Sequence, residues 1–230
     1  MNTDNLYEHR FPAHVHAQRA RLWQVLCRRV LQRFIRPDDV VIDLGAGMCE
    51  FINHVQCKRK IAIDAHPRAR SFAAPGVHVI VGEVLQVLDR IGDAVTDVVF
   101  CSNFLEHLPD KKHVSRVLAE AYRILVPGGR LLVIQPNIRV AYREYWDFFD
   151  HYIPLSDRSL REAVEAAGFD VILLKPRFLP FTTVTRWPKP AWLFHLYLSL
   201  PPLQWLLGKQ LLLVAAKPAQ AEAATAETAA

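Results

Sequence analysis

The stretch VVIDLGAGMCEF, Val40 to Phe51, decides the fold. An apolar run, Val40-Val41-Ile42, ends in Asp43, and Gly45 and Gly47 follow. Strand, acid and glycine turn in this order open a nucleotide-binding α/β unit. The glycines let the backbone turn sharply and let a ligand approach the main chain. A dinucleotide loop, however, carries a third glycine where Glu50 stands, and its pyrophosphate rests on the helix N-terminus. A carboxylate at that place repels a pyrophosphate, and there is no P-loop lysine. The loop therefore suits a ligand without a polyphosphate.

Working outward, apolar and turn-forming segments alternate. Leu22, Val25, Leu26, Val30 and Leu31 recur at helical spacing from about residue 17 to 34, and Pro37 ends that helix. Strands are expected over 40–44, 60–64, 78–81, 97–101, 130–135, 169–174 and 210–215. A helix is expected from about Cys49 and another over 113–125, which Pro127-Gly128-Gly129 stops. Ser156 caps a further helix that Gly168 ends. Such alternation predicts a parallel, doubly wound sheet with helices on both faces. In such sheets ligands bind beyond the carboxyl ends of the strands, where strand order reverses. The first strand and its loop belong there.

Asp64 ends the second strand (IAID), about twenty residues past the loop, where an acid takes a ribose diol. Asp43 can accept from an ammonium or from the loop amides. Ribose plus ammonium without phosphate describes S-adenosylmethionine. The chain resembles a class I S-adenosylmethionine-dependent methyltransferase of the small-molecule, type 11-like kind. The resemblance rests on VIDLGAGMCEF, IAID, VGEVL, DVVFCSNFLEHLPD and AYRILVPGGRLLVIQPN, in the family's order, and continues through LSDRSLREAVEAAGFDV. It implies a Rossmann-like, mostly parallel seven-stranded sheet, and the composition adds a hydrophobic C-terminal insert before the last strand. It also implies that Asp43, Gly45 and Gly47 hold the methionine end of the cofactor. Asp64 would take the ribose, with Ala65 beside the adenine and Glu83 near its amino group, and Asn103 would border the methionine moiety. Cys49 departs from the many members that carry a third glycine there, and is small enough to be accommodated.

Two histidines are candidate general bases for an acceptor hydroxyl or amine. His107 lies in NFLEHL just past the fourth strand, and His151 in the aromatic segment REYWDFFDHYIP, read either as a lid or as ordinary packing. Glu106 is placed to bind a metal or orient a substrate, as in relatives that methylate catechol-like acceptors. No second carboxylate follows at motif spacing, so no metal is expected. His14 and His16 lie in a polar arm and read as unremarkable.

Composition bounds the rest. The chain has 230 residues and a formal charge of +5, mildly basic and short of a dedicated nucleic-acid binder. No N/D-PP-Y tetrad follows the fourth strand, so no nucleic-acid partner is expected. Four cysteines without a CxxC read as free thiols in a reducing compartment. The N-terminus shows no signal-peptide h-region, and the cytoplasm is the expected location. The expected organisation is an N-terminal arm and helix (1–36), a methyltransferase domain (37–218, insert about 176–208) and a disordered tail (219–230).

The insert is apolar and basic: Val171 to Lys217 holds no Asp or Glu. It either caps the core and lines a large acceptor pocket, or lies peripherally on the inner membrane face with its aromatics at the headgroups. The acceptor expected is accordingly a small or lipid-linked molecule. Two further readings stay open: a non-catalytic S-adenosylmethionine-binding regulator, and a nicotinamide-dependent oxidoreductase, which Glu50 and Asp43 disfavour.

Overall fold

A computed structural model describes residues 13–181 and 191–219. The polar arm before residue 13, the centre of the insert and the low-complexity tail from 220 lie outside the described residues.

Helix α1 (Ala13–Arg29) leads into β1 (Val40–Leu44). Then follow α2 (Glu50–His54), β2 (Arg59–Asp64), α3 (Ala69–Phe72), β3 (Val77–Val81), α4 (Val84–Leu88) and β4 (Thr96–Ser102). Next come α5 (Lys111–Ile124), β5 (Leu125–Pro136), α6 (Ile138–Ala141), α7 (Asp157–Ala166) and β6 (Asp170–Leu179). The chain ends with α8 (Ala191–Ser199), α9 (Pro201–Leu207) and β7 (Gln210–Ala216). The strands form one seven-stranded sheet in the order β3-β2-β1-β4-β5-β7-β6. All neighbours are parallel except β7, which runs antiparallel to both β5 and β6.

Alternation along the strands sorts the core into two layers. Ile42, Leu44, Val99, Cys101, Leu131 and Val133 face α4, α5 and α7. Val41, Val98, Phe100, Leu132 and Ile134 face α1, α2 and the insert's Phe194 and Tyr197. Strands buried on both faces read as continuous apolar runs, which is why VVIDL carries only one polar residue. In α5, Val114, Val117, Leu118, Ala121 and Ile124 form the buried stripe, and Asp110 caps it by accepting from the His113 N–H. In α7, Ser156 and Ser159 form a reciprocal capping box, and Gly168 ends the helix at φ +96.

Two differences from the sequence reading have physical causes. β6 runs on to Leu179 and pairs with Gln210, past a register shift between Lys175 and Leu179. Pro176 lies inside that shift and has no N–H to offer the ladder. The insert folds partly as two short helices; its apolar composition gave no clean helical period. Pro201 and Pro202 occupy the first turn of α9, where a missing N–H costs nothing.

Candidate active site

Strand order reverses between β1 and β4, which lie side by side although β2 and β3 intervene in sequence. Their carboxyl ends open into a cleft of about 1040 Å³. Every residue that the sequence singled out for the cofactor or for catalysis lines it.

The cofactor half is built from one contiguous segment. Gly45 and Gly47 have φ of +67 and +51, the left-handed region that favours glycine. Gly45 also has no room: a Cβ there would lie 2.5 Å from Cδ2 of Phe104. The amides of Gly45 and Ala46 both donate to the Ile63 carbonyl, which ties the loop to β2. Asp64 accepts from the Gly47 N–H and the His66 N–H, each at 2.7 Å, one per carboxylate oxygen. It braces the loop as well as facing the cleft. Ala65 follows it on the wall. Cys49 also holds a left-handed φ of 57 and is fully buried. It is the departure from the glycine pattern, and it adopts the backbone conformation glycine would take. Burial pushes its thiol up to about 12, so it is no nucleophile.

Asp43 is buried, and its carboxyl is raised well above the usual range, first by burial, then by Asp64 and Glu50. Three carboxylates thus converge on this end of the cleft. An acidic end of this kind opposes a pyrophosphate, and a cationic ligand there would draw Asp43 toward its ionised form, which fits the sulfonium and ammonium of S-adenosylmethionine. Glu50 is answered from outside the segment: Arg19 of α1 donates to both its oxygens, each at 2.6 Å. Glu83, just before α4, is exposed at the rim. Asn103 is exposed with φ +49, and its side-chain amide donates to Ser102 Oγ at 3.1 Å.

The other half is assembled from two distant segments. After β4 a short 3₁₀ turn, Leu105–His107, carries Glu106 and His107. The strap between α6 and α7 lies over it. The Tyr152 and Ile153 amides donate to the Glu106 carbonyl at 2.8 and 3.2 Å. This pinning brings His151 over the turn, its ring 5.0 Å from that of His107. His151 stacks on Phe148 at 4.9 Å and meets the buried Tyr145 at 4.7 Å. Trp146 and Phe149 of the same strap point outward and are exposed. Phe148 and Tyr152 are the strap aromatics that line the cleft beside His151.

Glu106 is the residue whose situation the sequence concealed. It is 0% exposed, and neither carboxylate oxygen has a hydrogen-bond partner among the described residues. Burial drives its carboxyl up to about 7, against the opposing pull of His107. His107 Nδ1 lies 2.8 Å from the Asp150 carbonyl. A carbonyl only accepts, so Nδ1 carries a proton, and in the neutral ring Nε2 is the nitrogen with the lone pair.

A family model described as a methyltransferase domain matches residues 15–174. The chain belongs to that family, in its class I S-adenosylmethionine-dependent form. Among curated proteins it is similar to one from Mycolicibacterium smegmatis named "Probable S-adenosylmethionine-dependent methyltransferase". The two are 30% identical over 158 residues, which cover 64% of this chain and 58% of that one. The chain thus spans little more than half of that relative's length. Among solved structures, a SAM-dependent methyltransferase from Archaeoglobus fulgidus matches with TM-score 0.67 at 19% identity, covering 92% of this chain and 98% of that one. The [4+2]-cyclase SpnF matches with TM-score 0.61 at 18% identity, over 87% of this chain and 81% of its own. At such identities the structures share a fold, and the chemistry has to be argued from the residues.

Proposed function

We propose that this methyltransferase-family chain moves the methyl group of S-adenosylmethionine to an oxygen or nitrogen of a small-molecule acceptor. One observation carries the reading: the converging carboxylates of Asp43 and Asp64 and the ionisable cluster of Glu106, His107 and His151 line one cleft. The cofactor's charged end and an acceptor thus share one space. Asp43, Gly45 and Gly47 would hold the methionine end and Asp64 the ribose, with Ala65 and Glu83 near the adenine and Asn103 near the methionine.

The reaction is an in-line displacement. The acceptor lone pair forms a bond to the methyl carbon as the sulfur–carbon bond breaks, and S-adenosylhomocysteine leaves with the electron pair. The electrophile comes already activated, so the protein mainly positions two reactants, an effect worth on the order of 7–11 kcal/mol. The acceptor proton needs a base, worth roughly 10²–10⁴-fold. His107, with its Nε2 lone pair, and His151 are the candidates.

The acceptor is small or lipid-linked. For the second form the supporting observation is an apolar surface on α8 and α9. Trp192, Leu196, Trp205 and Leu206 are all exposed there, Trp205 by 70%, with the Arg177 guanidinium over the Trp205 ring at 5.5 Å. No helix among the described residues is long and apolar enough to cross a membrane. Peripheral contact at an anionic membrane face is the form such a surface would take. Co-sedimentation with anionic vesicles at low salt tests it, and absence of binding removes it.

The central reading is tested by titration calorimetry with S-adenosylmethionine, S-adenosylhomocysteine and NAD, on the native chain and Asp64→Asn. The adenosyl ligands bind and NAD does not; the variant binds them roughly 10-fold or more weakly, the worth of a hydrogen bond to a charged group. NAD binding instead would favour the oxidoreductase reading. Adenosyl binding without turnover across an acceptor screen would favour the regulator. Once an acceptor is known, turnover at saturating cofactor should fall in His107→Ala or His151→Ala; if neither lowers it, neither histidine is the base.

A further inference from the structure

The cluster at the acceptor end of the cleft is incomplete as it stands. Glu106 is fully buried, with both oxygens unpartnered among the described residues. Removing a carboxylate from water without a compensating partner is costly, and native proteins rarely leave one so. Its surroundings are not those of an accident. The turn that carries it is pinned through its own carbonyl by the Tyr152 and Ile153 amides. The same strap brings His151 over the turn. One carboxylate oxygen of Glu106 and one ring nitrogen from each of His107 and His151 lie within 4.8 Å of one another. Among the described residues no other trio of histidine, cysteine, aspartate or glutamate gathers in this way.

We infer that Glu106, His107 and His151 bind one divalent first-row transition cation, with its remaining coordination positions open to the cleft. Bonds of about 2.1 Å place ligand atoms roughly 3.0–3.5 Å apart, so the trio closes around an ion with small side-chain movements. Two imidazoles and one carboxylate suit Mn²⁺, Fe²⁺, Co²⁺ or Zn²⁺ better than Mg²⁺ or Ca²⁺, which prefer oxygen shells. Three protein ligands with open positions mark a site that takes a further ligand rather than a closed structural one. The outer shell is also in place. Asp150 accepts from His107 Nδ1 through its carbonyl, with its carboxylate 3.3 Å away, and so leaves Nε2 to face an ion. Phe148 and Tyr145 flank the His151 ring and restrict it.

The use of the site rests on the methyl-transfer reading, although binding itself does not. An acceptor hydroxyl bound to the cation would release its proton to water in the open cleft more readily than the free alcohol does, and the oxyanion would take the methyl group as the sulfur–carbon bond breaks. The histidines then act as ligands rather than as bases. The acceptor class follows: a molecule whose reacting oxygen can ligate a cation.

The test uses the full, untagged chain stripped with a chelator. Mn²⁺ is titrated and free Mn²⁺ read by electron paramagnetic resonance; Zn²⁺ is titrated by calorimetry. One saturable site per chain is expected, weakened at least roughly 10-fold in Glu106→Gln and in His151→Ala. It should be unchanged in a His14→Ala, His16→Ala double variant, which controls for adventitious binding at the start of α1. S-adenosylhomocysteine binding by each variant reports that it is folded. The inference is overturned if native protein shows no saturable site up to millimolar metal, or if both cluster variants bind like the native chain. Metal binding without adenosyl binding would sink the methyltransferase reading alone; adenosyl binding without metal binding would sink the metal site alone.

Discussion

The two halves of the cleft differ in what they need from a ligand. On the cofactor side nearly every charge and amide already has an answer. Asp64 takes two backbone N–H groups, Ile63 takes two more, and Arg19 neutralises Glu50. On the acceptor side Glu106 has none among the described residues. The first half is a finished mould, held by its own hydrogen bonds before anything binds. The second is a set of converging donors that a ligand would complete. Preorganisation of the cofactor loop lowers the ordering cost of binding. An unsatisfied buried carboxylate lowers stability and is retained where it has a task.

The sharpest way to break the comparison is to spoil the mould. Gly45→Ala forces a side chain into a left-handed position, about 1–2 kcal/mol. It also drives a Cβ to 2.5 Å from Phe104, an overlap that costs a further 1–3 kcal/mol, roughly. The expected outcome is a thermal midpoint lower by several degrees and adenosyl affinity reduced more than about 10-fold. Because Phe104 lies two residues before Glu106, this variant should disturb the acceptor half too, seen as weakened metal binding. A variant that melts and binds like the native protein would mean the loop is not held as described.

Glu106→Gln tests the opposite half. In metal-free protein the Glu106 carboxyl stands near 7, against about 4.5 in an unfolded chain. Between those values the native state holds a proton that the unfolded state has lost. Stability therefore falls as pH rises through this window, and the loss is complete above about 7. The glutamine variant has no such proton. Its advantage over the native chain should grow from pH 4.5 to 8, reaching on the order of 3 kcal/mol. Urea unfolding at several pH values in chelator checks this. A gap that does not change with pH would mean that Glu106 is solvated or paired.

How far each half could be read in sequence follows from the same difference. The cofactor half runs from Val40 to Ala65, within one β-α-β unit. Apolar run, acid, glycines and second acid appear in order, and spacing alone places them together. The departures were legible as well: Cys49 and Glu50 stand where glycines are usual. Their compensations were not, because Arg19 comes from an arginine-rich stretch, α1 and the turn after it, whose arginines look alike in sequence. Arg21, Arg28, Arg33 and Arg36 are solvated, and only the fold separates Arg19 from them. On the acceptor side His107 and His151 were each visible as candidates, but nothing local says that a strap folds back to join them. The sequence also shows no second carboxylate at motif spacing after Glu106, and His151 arrives only by way of β5 and α6. Burial without a partner is a three-dimensional property that no spacing encodes. The insert was hardest, since α8 and α9 are apolar on every side and lack a period.

The smallest expected effect bears on whether the cofactor half is truly self-sufficient. Arg19 and Glu50 meet in a bidentate pair, with side chains 19% and 13% exposed. Exposed pairs contribute about 0–1 kcal/mol, and fork-shaped arginine–carboxylate contacts with restricted side chains lie at or above the top of that range. A double-mutant cycle of Arg19→Met and Glu50→Gln should return a coupling of about 1 kcal/mol in unfolding free energy. The single variants should also differ in binding. Arg19→Met leaves Glu50 uncompensated beside Asp43, which raises the Asp43 carboxyl further and deepens the negative field. A cofactor bearing both a sulfonium and a carboxylate then gains at one end and loses at the other, so its affinity should change little. S-adenosylhomocysteine lacks the sulfonium charge and should lose more. A selective loss of S-adenosylhomocysteine binding in Arg19→Met, absent in the double variant, would show that α1 completes the mould by charge. Equal loss of both ligands would mean that α1 contributes only cover.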